Sequence, residues 1–72
     1  MSSVHTSAYQ KFLKRLRAAR TEARLTQVQV ARQFKKPQSF IAKCESGERR
    51  LDFVELRTLA KLYKKPLSFF EA

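Results

Sequence analysis

Glycine appears once in 72 residues, proline twice, cysteine once and tryptophan not at all. A phosphate-cradling loop needs closely spaced glycines so that the backbone can approach the anion, and one glycine excludes it. Cys44, the single cysteine, can form neither an internal disulfide nor a Cys-based zinc site, and a reducing compartment is expected. No apolar run reaches 18 residues, and residues 1–10 lack the basic start and apolar centre of a secretory signal, so neither a membrane span nor export is expected. The only histidine, His5, has no acidic or cysteine neighbour, no HExxH occurs, and no nucleophile stands with a base. An enzyme is the least expected class, and no metal, cofactor or small-molecule ligand is implied. Acidic residues are few as well, 6 against 16 Lys and Arg, leaving a net charge of +10.

What is present is apolar enough to fold: 43% hydrophobic, with six Phe and eight Leu. A chain this short buries only about 60% of its unfolded surface, enough for one small domain and no elaborate cleft. The positive excess attracts polyanions, whether nucleic acid, an anionic membrane or an acidic protein. It is unevenly spread: +5 over residues 11–24, +4 over 25–50 and +1 over 51–72.

Tyr9, Phe12, Leu13, Leu16, Ala19 and Ala23 recur at three- and four-residue spacing, which predicts a first helix from Tyr9 to Ala23 after a loose tail over residues 1–8. Thr26 with Gln29 forms a capping box that opens a short second helix, buried through Val30, Ala31 and Phe34 and stopped by Lys35-Lys36-Pro37. Pro37 suits the first position of a third helix, with Ile41 and Cys44 inward and Gln38, Ser39, Phe40 and Lys43 outward or sideways, until Gly47 ends it. Asp52 and Glu55 form a second capping box ahead of a fourth helix with Leu56, Leu59, Ala60 and Tyr63 on its apolar stripe. The segment Phe34-Lys-Lys-Pro-Gln-Ser-Phe40 is echoed by Tyr63-Lys-Lys-Pro-Leu-Ser-Phe69, so the same helix end, turn and helix start is expected twice. The echo predicts a short fifth helix over residues 67–71 with Leu67 and Phe70 inward. The expectation is all-α: a compact five-helix bundle over residues 9–72.

Two short helices joined by a tight turn, the second opening with amide and small side chains, fit a DNA major groove. Leu25-Thr-Gln-Val-Gln-Val-Ala31, Gln38-Ser-Phe-Ile41, Lys43-Cys-Glu-Ser-Gly47, Glu55-Leu and Leu59-Ala-Lys61 resemble the Cro/repressor (XRE-like) helix-turn-helix family of phage and bacterial regulators, over residues 9–71. The resemblance implies a lambda-repressor-like DNA-binding domain that places the helix from Gln38 to Glu45 in the groove of double-stranded DNA. Gln27 matches a position that touches the DNA backbone and braces the first amide of the recognition helix. Gln38 matches that amide, which reads adenine; Ser39 and Lys43 match further groove-facing positions. Arg20 and Glu45 match a structural ion pair between the first and third helices. Beside these, Lys36, Arg49 and Arg50 are assigned to phosphates, and Lys43 is open between base edge and phosphate. Phe40 either packs against the turn or meets a thymine methyl.

Three positions depart from the family pattern. Lys35 stands where Gly is usual and a left-handed backbone is wanted, at a strain of about 1 kcal/mol. Pro37 replaces a Ser cap, and Glu48 sits in a loop that is often basic. Members commonly bind as dimers; with no separate dimerisation domain expected, self-association would use the C-terminal helices, where Leu67 and Phe69 are the candidate contacts. The rivals are an antitoxin or a protein-bridging module of the same fold, a general nucleic-acid binder, and a basic helix lying on a membrane, which is disfavoured because the apolar face of that helix is needed for the core. A cytoplasmic, nucleoid-associated protein is expected.

Overall fold

The computed structural model describes residues 6–71, and residues 1–5, including His5, lie outside the described residues. Four α-helices follow one another: α1 Ser7–Glu22, α2 Gln27–Phe34, α3 Gln38–Ser46 and α4 Phe53–Tyr63. There is no strand among the described residues. α1 begins two residues before Tyr9, because the Thr6 hydroxyl accepts the Tyr9 amide proton at 3.1 Å and so supplies a cap. Residues 7 and 8 therefore belong to α1 and not to the expected tail.

Both capping boxes form. Thr26 and Gln29 exchange hydrogen bonds of 2.8 and 3.1 Å at the head of α2, and Asp52 and Glu55 exchange bonds of 2.7 and 3.1 Å at the head of α4. Pro37 is the cap residue of α3, one place earlier than expected, with extended torsions of −70° and 158°. The core gathers one face of every element: Leu16 and Ala19 of α1, Val30 and Ala31 of α2, Ile41 of α3, Leu59, Ala60 and Tyr63 of α4, and Phe70 beyond it. Burying a large apolar side chain of this kind contributes about 1.5–3 kcal/mol.

The expected fifth α-helix is instead a single 3₁₀ turn, Leu67–Phe70. Its bonds run over three residues, Phe69 N–H to Pro66 O at 3.0 Å and Glu71 N–H to Ser68 O at 3.1 Å, and four residues are too few to establish an α-helical ladder. Phe70 is buried as expected, and Leu67 is half-buried against the core.

The sequence echo is also a structural one. Lys35 and Lys64 take left-handed torsions of 56°, 43° and 59°, 43°, and the residue after each closes back on its helix, Lys36 N–H to Ala31 O at 3.0 Å and Lys65 N–H to Ala60 O at 2.9 Å. Arg24 ends α1 in the same way, with φ 60°. All three left-handed stops carry a cation where glycine would be unstrained, and each cation lies at the negative end of a helix dipole, which offsets part of the strain.

Candidate nucleic-acid interface

α2 and α3 are joined by Lys35, Lys36 and Pro37 alone, a turn too short to let the two helices separate. Ile41, Cys44 and Glu45 form the buried side of α3. Gln38, Ser39, Lys43 and Ser46 are exposed, so the opening turn and one full side of α3 look outward. Pro37 contributes no side-chain cap to the first turn of α3.

Behind that surface runs a chain of polar contacts that crosses three helices. Glu45 is buried, and its carboxylate accepts from Arg20 of α1 through Nε at 2.6 Å and Nη2 at 3.1 Å. This fork holds the Arg20 guanidinium above its ordinary pKa, the hydrogen bond to Glu45 being the main cause. Arg20 Nη1 also donates to Leu25 O at 3.0 Å, and Arg17 donates to Glu45 O at 2.9 Å, so α1 grips the backbone on both sides of the motif. Glu45 Oε1, the oxygen that takes Arg20 Nη2, also accepts from Gln27 Nε2 at 3.0 Å, and Gln27 Oε1 accepts from Gln38 Nε2 at 3.0 Å. Arg20, Glu45, Gln27 and Gln38 are thus one connected unit ending at the surface.

The remaining candidate residues are placed as follows. Arg49 is engaged within the fold: Nη1 and Nη2 meet the two Glu55 oxygens at 2.9 Å each, Nη1 also donates to Arg50 O at 2.9 Å, and the guanidinium lies 4.6 Å over the Phe40 ring. The same fork holds the Glu55 carboxyl below its ordinary range, with the Arg49 bonds the largest cause. Phe40 is half-buried, tilted against Phe34 at 6.0 Å with Lys36 5.6 Å from its centre, so its surroundings favour packing against the turn. Arg50 is exposed and lies 5.0 Å over the ring of Tyr9, whose hydroxyl is buried without a hydrogen-bond partner. Lys36, in the turn before α3, and Lys43, in its last turn, are exposed. Cys44 is buried, and desolvation pushes its thiol pKa up, which leaves it in the unreactive protonated form.

At the C-terminal end Phe69 is half-buried, edge-on to Phe70 at 5.5 Å and flanked by Arg15 at 5.2 Å and Lys65 at 4.5 Å. The large apolar side chains most open to solvent are elsewhere: Phe53 and Val54 in the first turn of α4, 59% and 60% exposed, and Val28 of α2 at 46%. Among the described residues no group of three or more His, Cys, Asp or Glu could hold a metal ion, and no helix is long and apolar enough to cross a membrane.

A family model described as a helix-turn-helix domain matches residues 12–67. The chain belongs to the helix-turn-helix domain family. Membership agrees with the resemblance to the Cro/repressor group and makes the domain a DNA-binding regulator in the general sense of that family. No curated protein and no solved structure gives a significant match. Within this helix-turn-helix domain, two links were not visible in the residue pattern: the bond from Gln27 to Glu45 and the grip of Arg49 on Glu55. Glu55 was legible only as a capping residue, and nothing in local spacing indicates that its second side faces a cation from the preceding loop.

Proposed function

We propose that this helix-turn-helix domain is a sequence-specific, repressor-like transcriptional regulator that inserts α3 into the major groove of double-stranded DNA. One observation carries the reading: the opening turn of α3 is exposed while its amide, Gln38, is braced from inside by Gln27. Gln38, Ser39 and Lys43 are the base-reading side chains in this proposal, with any remaining open edge of Phe40 meeting a thymine methyl. Lys36 and Arg50 hold phosphates on either side, aided by Gln27 and by Arg49 Nε, the one guanidinium nitrogen that Glu55 does not take. Two copies paired through the C-terminal end around Leu67 and Phe69 would address half-sites about 34 Å apart. The protein would act in the cytoplasm on the nucleoid.

The test is selection of bound duplexes from a random pool. Enrichment of a half-site, repeated with two-fold symmetry if the domain pairs, is the expected result; a pool that returns unenriched refutes the proposal. One observation favours a second reading, a module whose main partner is a protein: Phe53 and Val54 form an open apolar pair in the C-terminal third. Under that reading the pool stays unenriched.

A further inference from the structure

A glutamine amide has nearly the same shape in its two orientations, so which end donates is decided by its neighbours. Glu45 removes that freedom for two glutamines in succession. Its carboxylate only accepts, and Arg20 holds it in place through two bonds. Gln27 must therefore turn its NH₂ group toward Glu45, which it does at 3.0 Å, and its oxygen is left facing Gln38. Gln38 must in turn give an N–H to that oxygen, 3.0 Å away. The oxygen of Gln38 is then the acceptor left for a ligand at the exposed opening of α3.

We infer that Glu45, relayed through Gln27, sets the polarity of the Gln38 amide and thereby selects bases that present an amino group in the major groove over those that present oxygen. The inference rests on the DNA-reading function proposed above. Adenine N6 and cytosine N4 donate in that groove, whereas guanine O6 and N7 and thymine O4 accept. An outward oxygen pairs with the first two. Adenine is satisfied best, because the second proton of Gln38 Nε2 also suits its N7. A reversed amide would present its NH₂ group and favour guanine or thymine. Glu45 touches no base; it is a positioning residue that acts through Gln27.

The experiment measures Kd for the duplex enriched by the unaltered protein and for the same duplex with each other base at the position that Gln38→Ala maps. In Glu45→Gln, the amide oxygen stays on Arg20 Nε, the shorter bond at 2.6 Å, and the new NH₂ group takes the place of Oε1, giving up the Arg20 Nη2 bond and facing Gln27, which reverses both glutamines. The preference for adenine over guanine is expected to fall by about 2- to 10-fold, the weight of one hydrogen bond, or to invert. In the double variant Gln27→Glu with Glu45→Gln, the carboxylate at 27 only accepts, so the Gln38 polarity and the preference return even though overall affinity falls. A purely structural role for Glu45 would lower affinity for all four bases alike and predicts no such recovery. If Glu45→Gln does not fold, Gln27→Leu replaces it, since it cuts the relay while leaving Arg20 and Glu45 paired, and the same fall in preference is expected. An unchanged preference in a folded variant, or a loss that the double variant does not restore, overturns the inference. Should the unaltered protein prefer no base anywhere, the DNA-reading proposal fails on its own. The relay is then read by NMR from the Gln38 side-chain NH₂ protons in the protein alone. Inequivalent, hydrogen-bonded protons that change in Glu45→Gln support it, and an identical signature in both overturns it.

Discussion

Replacing Arg20 and Glu45 singly and together tests whether their pairing holds α1 to α3. The Glu45 side chain is 4% exposed and that of Arg20 16%, so the pair lies in a poorly solvated setting. Arg20→Met leaves the carboxylate buried with Gln27 as its remaining side-chain partner, and breaking a buried pair in this way costs about 3–5 kcal/mol. A domain of this size has roughly 4–10 kcal/mol in total, so this variant should be largely destabilised and lose helical signal at low urea. Glu45→Leu is expected to cost less, about 1–3 kcal/mol, because the Arg20 guanidinium can still donate to Leu25 O and reach solvent. The double variant replaces the pair with apolar side chains of similar volume and should lie within about 2 kcal/mol of the unaltered protein. Urea unfolding followed by circular dichroism gives all four free energies, with equal slopes required for the comparison. If the double variant loses the sum of the two single losses to within about 0.5 kcal/mol, the partners are uncoupled and the argument is wrong.

Gln38→Ala should weaken binding to the enriched duplex by about 1–3 kcal/mol while leaving random DNA nearly unaffected, as read by gel shift against both. Equal losses on both would remove its reading role. Arg50→Ala should lower affinity for every sequence and make the log K against log salt slope shallower by roughly one unit; an unchanged slope would leave Arg50 as a partner of Tyr9 only. Lys64→Gly relieves a left-handed torsion at an exposed position and should stabilise the fold by about 0.5–1 kcal/mol in thermal melts, whereas a loss would show that its charge at the end of α4 outweighs the strain. The Glu55 carboxyl is depressed in the folded state, mainly by Arg49, so its contribution is present above the ordinary carboxylate pKa and is lost as pH falls through that value toward the folded one. Glu55→Gln should therefore flatten the acid limb of the stability profile, and an unchanged limb below about pH 4 would contradict the assignment.

Most of the helix boundaries were legible because they depend on local chemistry. The two capping boxes, the Lys-Lys-Pro stops and Gly47 act within a few residues, and each is recoverable from spacing alone. The start of α1 lies outside the apolar pattern because Thr6 is a single cap with no periodicity before it, and at the last element a proline and two apolar positions do not distinguish an α-helix from a 3₁₀ turn. The outward face of α3 followed from Ile41 and Cys44, whereas the fate of Phe40 did not. Its half-buried state depends on Arg49, nine residues away, being drawn across the ring by Glu55. Residue type predicted cations near the groove; it could not say which cations the fold itself would use.

That division of labour sharpens the electrostatic argument. Glu45, Glu55 and Glu22 are each paired with a cation, on Arg20, Arg49 and Lys65, and Asp52 is occupied by the amide of Glu55. The few acids thus serve mainly to join helices: α1 to α3, the α3–α4 loop to α4, and the end of α4 back to α1. Because so little negative charge is left over, Lys36 in the α2–α3 turn, Lys43 in the last turn of α3 and Arg50 in the loop after it have no ion-pair partner among the described residues. A composition with more acids could fold the same bundle yet would screen that surface with its own carboxylates. Under the proposed DNA-reading function, the scarcity of Asp and Glu matters as much as the excess of Lys and Arg, since it leaves the field of these cations free for an external anion.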